Sequence, residues 1–322
     1  MRIGIDLMGG DQSPEAIFSA VLRCRRDIDP AISLVVLARD CPKHSTDSLL
    51  EFIPTEEVIE MGETPLYAVR KKKKASMAVG VRLVKEGKLD ALVSTGNTGA
   101  LVALSTMHLP LLPTIQKPAL LAVLPTELGV IAVLDVGAHI HYKSTHFLDY
   151  AKLGVLYQEC FRGITNPKVG LLNIGSEEKK GTCEVKEAYR TLQEYFQHCE
   201  GQFVGNVEGR EVFQGKVDVM VTDGFTGNVF LKTCEGASSF LFEYLGKYFA
   251  RHATGDCGAA LLGHFHEKFN YANQPGAFLC GVEGVIVKCH GNSDTQAMIS
   301  GIRGAVALVE KQVVKKMKER LL

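Results

Sequence analysis

This chain predicts an α/β fold in which a parallel sheet is covered by helices on both faces. Two observations carry that expectation. Apolar runs of five to eight residues alternate with longer helical patterns, as strands buried on both faces and their crossover helices do. The 322 residues are 46% hydrophobic and include 32 glycines, a loop-rich globular composition with ample material for a core.

In chain order, "RIGIDL" reads as a first strand and Pro14–Arg25 as a helix. "ISLVVLA" is a second strand. Val79–Glu86 with its flanks is amphipathic and helical, followed by "LDALVST" as a strand. "GNTGALVALSTMHL" is a loop opening a helix. "PALLAVLPT" and "GVIAVLDVG" read as two strands with a short connection, a hairpin being one arrangement. "FLDYAKLGVLYQECF" is a helix, "KVGLLNIG" a strand and Glu184–His198 a helix. "FVGNVEG" is a short strand and turn, "KVDVMVTDG" a strand, and "NVFLKTCEGASSFLFEYLGKYFARH" a long helix. No linker, tandem repeat or low-complexity stretch interrupts this order, so residues 1–322 are expected to form one α/β domain. The least regular part, about 236–277, reads as a helical arm, a dimer contact or a membrane-facing tip, with Leu261–Phe265 as its apolar point.

Thirty-six basic residues balance 36 acidic ones, which argues against a nucleic-acid partner, because such proteins carry a basic excess. The nine cysteines are scattered, odd in number and without a Cys-x-x-Cys pair. That is neither a disulfide framework nor a zinc site, and it suits a reducing cytoplasm. "MRIGIDLMGGD" lacks the pattern of a signal peptide. No run approaches the roughly 20 apolar residues of a membrane-spanning helix.

Four glycine-bearing loops follow strands: "DLMGGD" (Asp6–Asp11), "STGNTGA" (Ser94–Ala100), "NIGSEEKKG" (Asn173–Gly181) and "TDGFTGNV" (Thr222–Val229). In a doubly wound sheet ligands sit beyond the carboxyl ends of the strands. Glycine admits close approach of the backbone, and helix N-termini favour anions. One such loop is most simply a tight turn. Four of them predict convergence on one sheet edge around an anion or acyl-phosphate pocket. Neither G-x-x-x-x-G-K-[ST] nor G-x-G-x-x-G is present, so the nucleotide motifs are not matched. The loops offer Gly9, Gly10, Asp11, Gly96, Asn97, Thr98, Gly99, Asn173, Lys179, Lys180, Asp223, Gly224, Thr226, Gly227 and Asn228. Such a set can hold inorganic phosphate and steady an oxyanion without metal or cofactor.

The stretches "DLMGGD", "KEGKLDALVSTGNTGALVA", "KPALLAVLPT", "LDVGA", "PKVGLLNIGSEEKKG", "FVGNVEGREVFQGKVDVMVTDGFTGNVFLKTCEG" and "GVIVKCHGNSD" run nearly end to end. In this order and spacing the chain resembles the phosphate acyltransferase family. The resemblance implies a three-layer α/β/α, mostly parallel sheet like that of phosphotransacetylases and isocitrate-type dehydrogenases. It implies formation of acyl phosphate from acyl carrier protein thioester and inorganic phosphate for phospholipid synthesis, with no cofactor. It also implies a homodimer, cytoplasmic or peripheral on the inner face of the membrane, serving a downstream glycerol-3-phosphate acyltransferase. The family's functional lysine falls on Lys180, with Lys179 as the alternative, and its asparagine on Asn228. The chain departs from the family pattern at "HIHYKS", where His139 and His141 stand, and at "ASM", which keeps only Ser76.

The remaining candidates have bland and sharp readings. Cys183 beside Lys180 invites an acyl-cysteine, but no activating partner is legible, and a buried small hydrophobe is the commoner fate. His139, His141 and His146 lack a placed carboxylate companion, so no metal is expected. "RKKKKAS", containing Arg70, Lys71, Lys72, Lys73 and Lys74, reads as a solvated helix start or as a docking patch for acidic carrier protein. Asp223 is expected to fix its own loop through backbone N–H groups. A non-catalytic phosphate or lipid-precursor binder and an isocitrate-type NAD dehydrogenase are the competing functions, the latter on fold analogy alone.

Overall fold

A computed structural model describes residues 1–40, 50–252, 263 and 275–322. Eleven strands form one sheet: β1 (Arg2–Asp6), β2 (Ser33–Ala38), β3 (Leu50–Pro54), β4 (Ala91–Ser94), β5 (Ala119–Thr126), β6 (Gly129–Leu134), β7 (Lys168–Asn173), β8 (Gln202–Glu208), β9 (Val219–Val221), β10 (Ala277–Cys280) and β11 (Val285–Lys288). Their spatial order is β3-β2-β1-β4-β11-β10-β5-β6-β9-β7-β8.

The described helices are α1 (Pro14–Asp27), α2 (Pro65–Lys71), α3 (Ser76–Lys85), α4 (Thr98–His108), α5 (Ser144–Tyr157, extended by a π-turn at Gln158–Arg162), α6 (Cys183–Tyr195), α7 (Gly224–His252), α8 (Thr295–Glu310) and α9 (Val313–Leu321). Their starts follow local chemistry. The Ser13 hydroxyl accepts the Ala16 N–H ahead of Pro14, and Thr182 and Asp294 cap α6 and α8 in the same way, each satisfying one of the N–H groups a helix leaves open.

Strand residues alternate between two buried clusters. Ile3, Ile5, Leu34, Val36, Leu121 and Val219 pack on one face with side chains of α1, α5 and α8. Val35, Leu37, Leu92, Leu120, Val133 and Met220 pack on the other with those of α3, α4 and α7. The period of two in a pleated strand produces this division, and three layers result.

Strand direction overturns one expectation. β3, β2, β1, β4 and β11 are mutually parallel. β10 is antiparallel to β11 and to β5, and β5 forms an antiparallel hairpin with β6. From β6 the sheet continues in parallel through β9, β7 and β8. The two flanks of the sheet therefore run in opposite directions. The loops after β1 and β4 leave one edge, whereas those after β7 and β9 leave the other. The four glycine loops do not converge on a single edge, because the β5–β6 hairpin reverses the chain between them.

Two further readings are corrected. The basic run ends α2 and leads into α3 rather than starting a helix. The long helix α7 begins at Gly224, so Thr226, Gly227 and Asn228 lie inside its first turns rather than in a loop before it. Strands β3, β10 and β11 and helices α2, α8 and α9 join the elements expected from sequence. Most of residues 253–274, including most of the expected tip at Leu261–Phe265, lies outside the described residues.

Candidate functional site

At the first edge the loops are tied to one another. Asp6, at the end of β1, is fully buried and accepts the Ser94 hydroxyl at 2.8 Å and the Met8 N–H at 3.1 Å. Burial raises its carboxyl pKa against the lowering effect of hydrogen bonds from Ser76 and Ser94. Gly9 has φ of 74°, and a Cβ there would fall on the Ile59 carbonyl oxygen. Gly10 packs against Thr95. Asn97 is the N-cap of α4: its Oδ1 accepts the Ala100 N–H at 3.0 Å, while its Nδ2 donates to Met61 O at 2.9 Å and Glu63 O at 3.1 Å. The side chain thus spends its hydrogen bonds holding the segment around residue 61 onto the helix start.

The same edge receives β11, which ends in Lys288. This lysine is 8% exposed. Its Nζ donates to Thr95 O at 3.2 Å and to Cys289 O. Burial pulls its pKa down to about 8, opposed by attraction to Asp11 and Asp6, as expected for an ammonium removed from water.

At the opposite edge Asp135 follows β6. It is fully buried and gathers the N–H groups of Leu120, Gly137, Ala138 and His139 at 2.9–3.2 Å. The first turn of α7 presses against this loop. A Cβ on Gly227 would fall on the Asp135 carbonyl oxygen, and one on Gly224 on His139 O. Glycine is required there for close backbone approach. Asp223 Oδ1 accepts the Phe225 and Thr226 N–H groups at 3.0 and 2.9 Å. Asn228 donates to Val136 O at 2.9 Å.

The loop after β7 stands beside this one, since β7 and β9 are paired. Asn173 bonds within the loop, its Nδ2 reaching Lys180 O at 3.1 Å. Lys179 and Lys180 are exposed, and the stem of Lys180 runs over Gly175. Cys183 is exposed at the start of α6. Burial and the nearby charge of Asp223 raise the Tyr142 pKa.

A cleft of about 520 Å³ crosses one face of the sheet between the two edges. Leu120, Ala122 and Leu124 of β5 form its floor, and α7 supplies a wall through Leu231, Lys232 and Glu235. Of the sequence-derived residues, it brings together Asp11, Thr98 and Asn228. Gly9, Gly10, Gly96, Asn97, Gly99, Asn173, Lys179, Lys180, Asp223, Gly224, Thr226 and Gly227 do not line it. Lys232, Glu235, Lys288 and His290 do, and sequence reasoning did not single them out. His290 Nε2 and Glu235 Oε1 are 2.8 Å apart, linking the loop after β11 to α7. The signal for Lys288 was present in "VIVKC", where a lysine ends an otherwise apolar strand.

The basic run is partly neutralised by its own surroundings. Lys72 bonds Val58 O and Glu63, and Lys74 bonds Glu56 at 2.6 Å. The Glu56 bond raises the Lys74 pKa. Lys72 is half-buried, and Arg70, Lys71, Lys73 and Lys74 are exposed. His146 is buried and accepts the Lys143 N–H on Nδ1 at 3.1 Å. Burial and the nearby Lys117, His139 and Lys143 bring its pKa down to about 4. His139 Nδ1 lies 3.7 Å from Asp135 Oδ2, and His141 is exposed. Among the described residues no group of three or more His, Cys, Asp or Glu is arranged to hold a metal ion.

Residues 1–316 match the model of the family described as fatty acid synthesis protein. Curated relatives named phosphate acyltransferase are 41% identical in Chlamydia abortus and 41% identical in an Exiguobacterium species. The alignments cover 98% and 99% of this chain and 98% of each relative. Among solved structures, a branched-chain phosphotransacylase from Enterococcus faecalis is similar with a TM-score of 0.63 at 14% identity, covering 96% of this chain and 99% of that one. A phosphotransacetylase from Streptococcus pyogenes has a TM-score of 0.59 at 15% identity, covering 98% and 94%. At such identities the structural likeness establishes the fold, three layers around a mostly parallel sheet.

Proposed function

We propose a reaction and its machinery for this chain, which belongs to the phosphate acyltransferase family: it transfers an acyl group from the thioester of acyl carrier protein to inorganic phosphate, releasing the carrier thiol and acyl phosphate. The observation that carries this reading is the cleft itself. It joins an apolar floor, suited to a fatty acyl chain, to polar ends supplied by Thr98 from one sheet edge and Asn228 from the other.

In the proposed step a phosphate oxygen attacks the thioester carbonyl carbon. A tetrahedral oxyanion forms, the C–S bond breaks, and the electron pair leaves with sulfur. A thiol pKa near ~8.5 makes that departure easy, so the barrier lies in bringing an anion to the carbonyl and holding the oxyanion. Orientation can supply about 7–11 kcal/mol of such a barrier. Asn228 is assigned a donor role to phosphate or oxyanion: one of its two amide hydrogens is fixed on Val136 O, which leaves the other aimed by a locked side chain. Lys180, with Lys179 as the alternative, is assigned to neutralise developing charge. Its loop adjoins the α7 start because β7 and β9 are neighbours.

Gly96, Gly99, Gly224 and Gly227, with Asp223 and Thr226, are assigned to shaping the loops around the ligands, and Asn97 to bracing them. Gly9, Gly10, Asp11 and Asn173 are assigned the same supporting work at their own loops. A carrier protein would meet Arg70, Lys71 and Lys73, exposed residues of the basic run. Exposed Phe225, Val229, Phe240, Leu241 and Tyr244 on α7 support a homodimer, since contiguous apolar patches mark contacts. No helix of the described residues is long and apolar enough to cross a membrane. Peripheral attachment at the inner face, in a cytoplasmic enzyme that hands product to a glycerol-3-phosphate acyltransferase, is the localisation this reading implies.

The test is release of free thiol from acyl carrier protein thioester with and without phosphate. Release that requires phosphate, with acyl phosphate formed in equal amount, supports the reading. Thiol release independent of phosphate would make the protein a thioester hydrolase, and none at all would favour a binding protein.

A further inference from the structure

Lys288 is an ionisable group that the reaction scheme above does not use. It ends β11 and lines the cleft, yet its side chain is more than nine-tenths buried. Buried ammonium groups are normally paired with a carboxylate. Here Nζ is held by two backbone carbonyls, Thr95 O and Cys289 O, and among the described residues no carboxylate lies within 4.0 Å of it. An ammonium has three donors. Two are occupied, and one remains on a residue facing the cleft.

The charge is also held in place. Thr95 precedes the Asn97 cap, and Cys289 N–H donates to Ser94 O at 2.9 Å. Both accepting carbonyls therefore sit on backbone that the first sheet edge already fixes. A pre-positioned cation in a low-dielectric wall costs the folded protein free energy, and a bound anion is what offsets it.

We infer that Lys288 is the cation that binds the phosphate group of the acyl acceptor within the cleft. This rests on the reading that inorganic phosphate is that acceptor. The chemistry recognised is a phosphate oxyanion, and a phosphodiester in the carrier's prosthetic arm would present the same oxygens. The groups facing Lys288 are Asp6 at the end of β1, Asp11 in the following loop, Cys289 on its own strand and Lys232 on α7. The two aspartates favour its charged form, while Lys232 and burial oppose it; the Cys289 thiol, pushed up to about 11 by burial, is neutral at this pH. With the ammonium titrating at about pH 8, phosphate capture weakens as pH rises through that value.

The experiment compares wild type, Lys288→Met and Lys288→Arg, each shown to be folded by circular dichroism. It measures equilibrium dialysis of radiolabelled inorganic phosphate and Michaelis constants for both substrates. In Lys288→Met the KM for phosphate is expected to rise about 10- to 150-fold, as loss of a charge-assisted hydrogen bond does. Its kcat and thioester KM should stay near wild type, and phosphate retention in dialysis should fall in step. The wild-type decline in kcat/KM for phosphate above about pH 8 should vanish in Lys288→Met. Where Lys288→Arg folds, it should restore binding and move the decline to higher pH. An unchanged phosphate KM in Lys288→Met overturns the inference. So does a thioester KM that rises only when the acyl donor carries a phosphopantetheine arm, since the anion would then be the arm's. If wild-type thiol release proves independent of phosphate, the reaction itself is misread, and dialysis still reports whether Lys288 holds an anion.

Discussion

The tripeptide Thr-Gly-Asn occurs in two places and does two different things. In Thr95-Gly96-Asn97 the asparagine precedes its helix and caps it, with its amide spent on the carbonyls of Met61 and Glu63. In Thr226-Gly227-Asn228 it lies inside its helix, which Asp223 caps instead, and it faces the cleft. The glycines differ as well. Gly96 packs against the flexible end of Met77, whereas Gly227 presses on the backbone of Asp135. Identical residues therefore brace a loop on one flank of the sheet and, on the other, place an asparagine on the wall of the cleft.

The most severe way to break this comparison is Gly227→Ala. Its Cβ would occupy the position of a backbone carbonyl that cannot rotate away. A loss above about 3 kcal/mol is expected in urea unfolding. Gly99→Ala, whose Cβ would meet the Pro65 ring at 2.6 Å, should cost less, since a side chain can shift. Equal costs would remove the distinction.

Next come the two asparagines. Asn228→Ala is expected to lower turnover by about 10²–10³ with little change in unfolding midpoint. Asn97→Ala should lose about 1–2 kcal/mol of stability through the missing cap, more if the segment around residue 61 loosens. It should retain most of its turnover per folded molecule. The reverse pattern would exchange their roles.

Acid sharpens the contrast further. The α4 start is held by an amide that does not titrate, while the α5 start relies on neutral His146 accepting the Lys143 N–H. The folded pKa of His146, about 4, lies below the ordinary value of about 6.5. The unfolded chain therefore binds the proton first. The stabilisation is complete above about pH 6.5 and is lost as pH falls toward 4, on the order of 1–3 kcal/mol. His146→Gln should flatten that limb of the stability profile, and an unchanged limb would place the titrating group elsewhere.

The smallest effect is expected at the basic run. Replacing Arg70 and Lys73 by serine should raise the carrier-thioester KM only a few-fold and reduce its salt dependence, as exposed charges do. An unchanged salt dependence would remove this surface from carrier docking.

Much of this architecture was legible in the amino-acid order. Runs such as "ISLVVLA" and "KVGLLNIG" became strands because their apolar residues had to be buried on both faces of a sheet. Pro14 after Ser13 marked a helix start. A hairpin at "PALLAVLPT" and "GVIAVLDVG" was legible, since only Glu127 and Leu128 join them and a parallel crossover needs a dozen or more residues, but which strands flank it is chosen by tertiary pairing. That single choice sent the four glycine loops to two edges instead of one. Asn228 was found through the family pattern. Lys288 was passed over because a charge at a strand end is usually solvated, whereas here its Nζ is turned onto the carbonyls of Thr95 and Cys289, the first of them 193 residues away in sequence.

The central claim is that acyl group and phosphate meet in the cleft over β5, between residues delivered from opposite edges. A crystal grown with inorganic phosphate and a non-hydrolysable acyl thioester analogue tests it directly. The account predicts the acyl chain on Leu120, Ala122 and Leu124, with phosphate inside the cleft within hydrogen-bond reach of Asn228 or Lys288. Both ligands on the outer surface of the 173–181 loop, with the cleft containing only solvent, would contradict it.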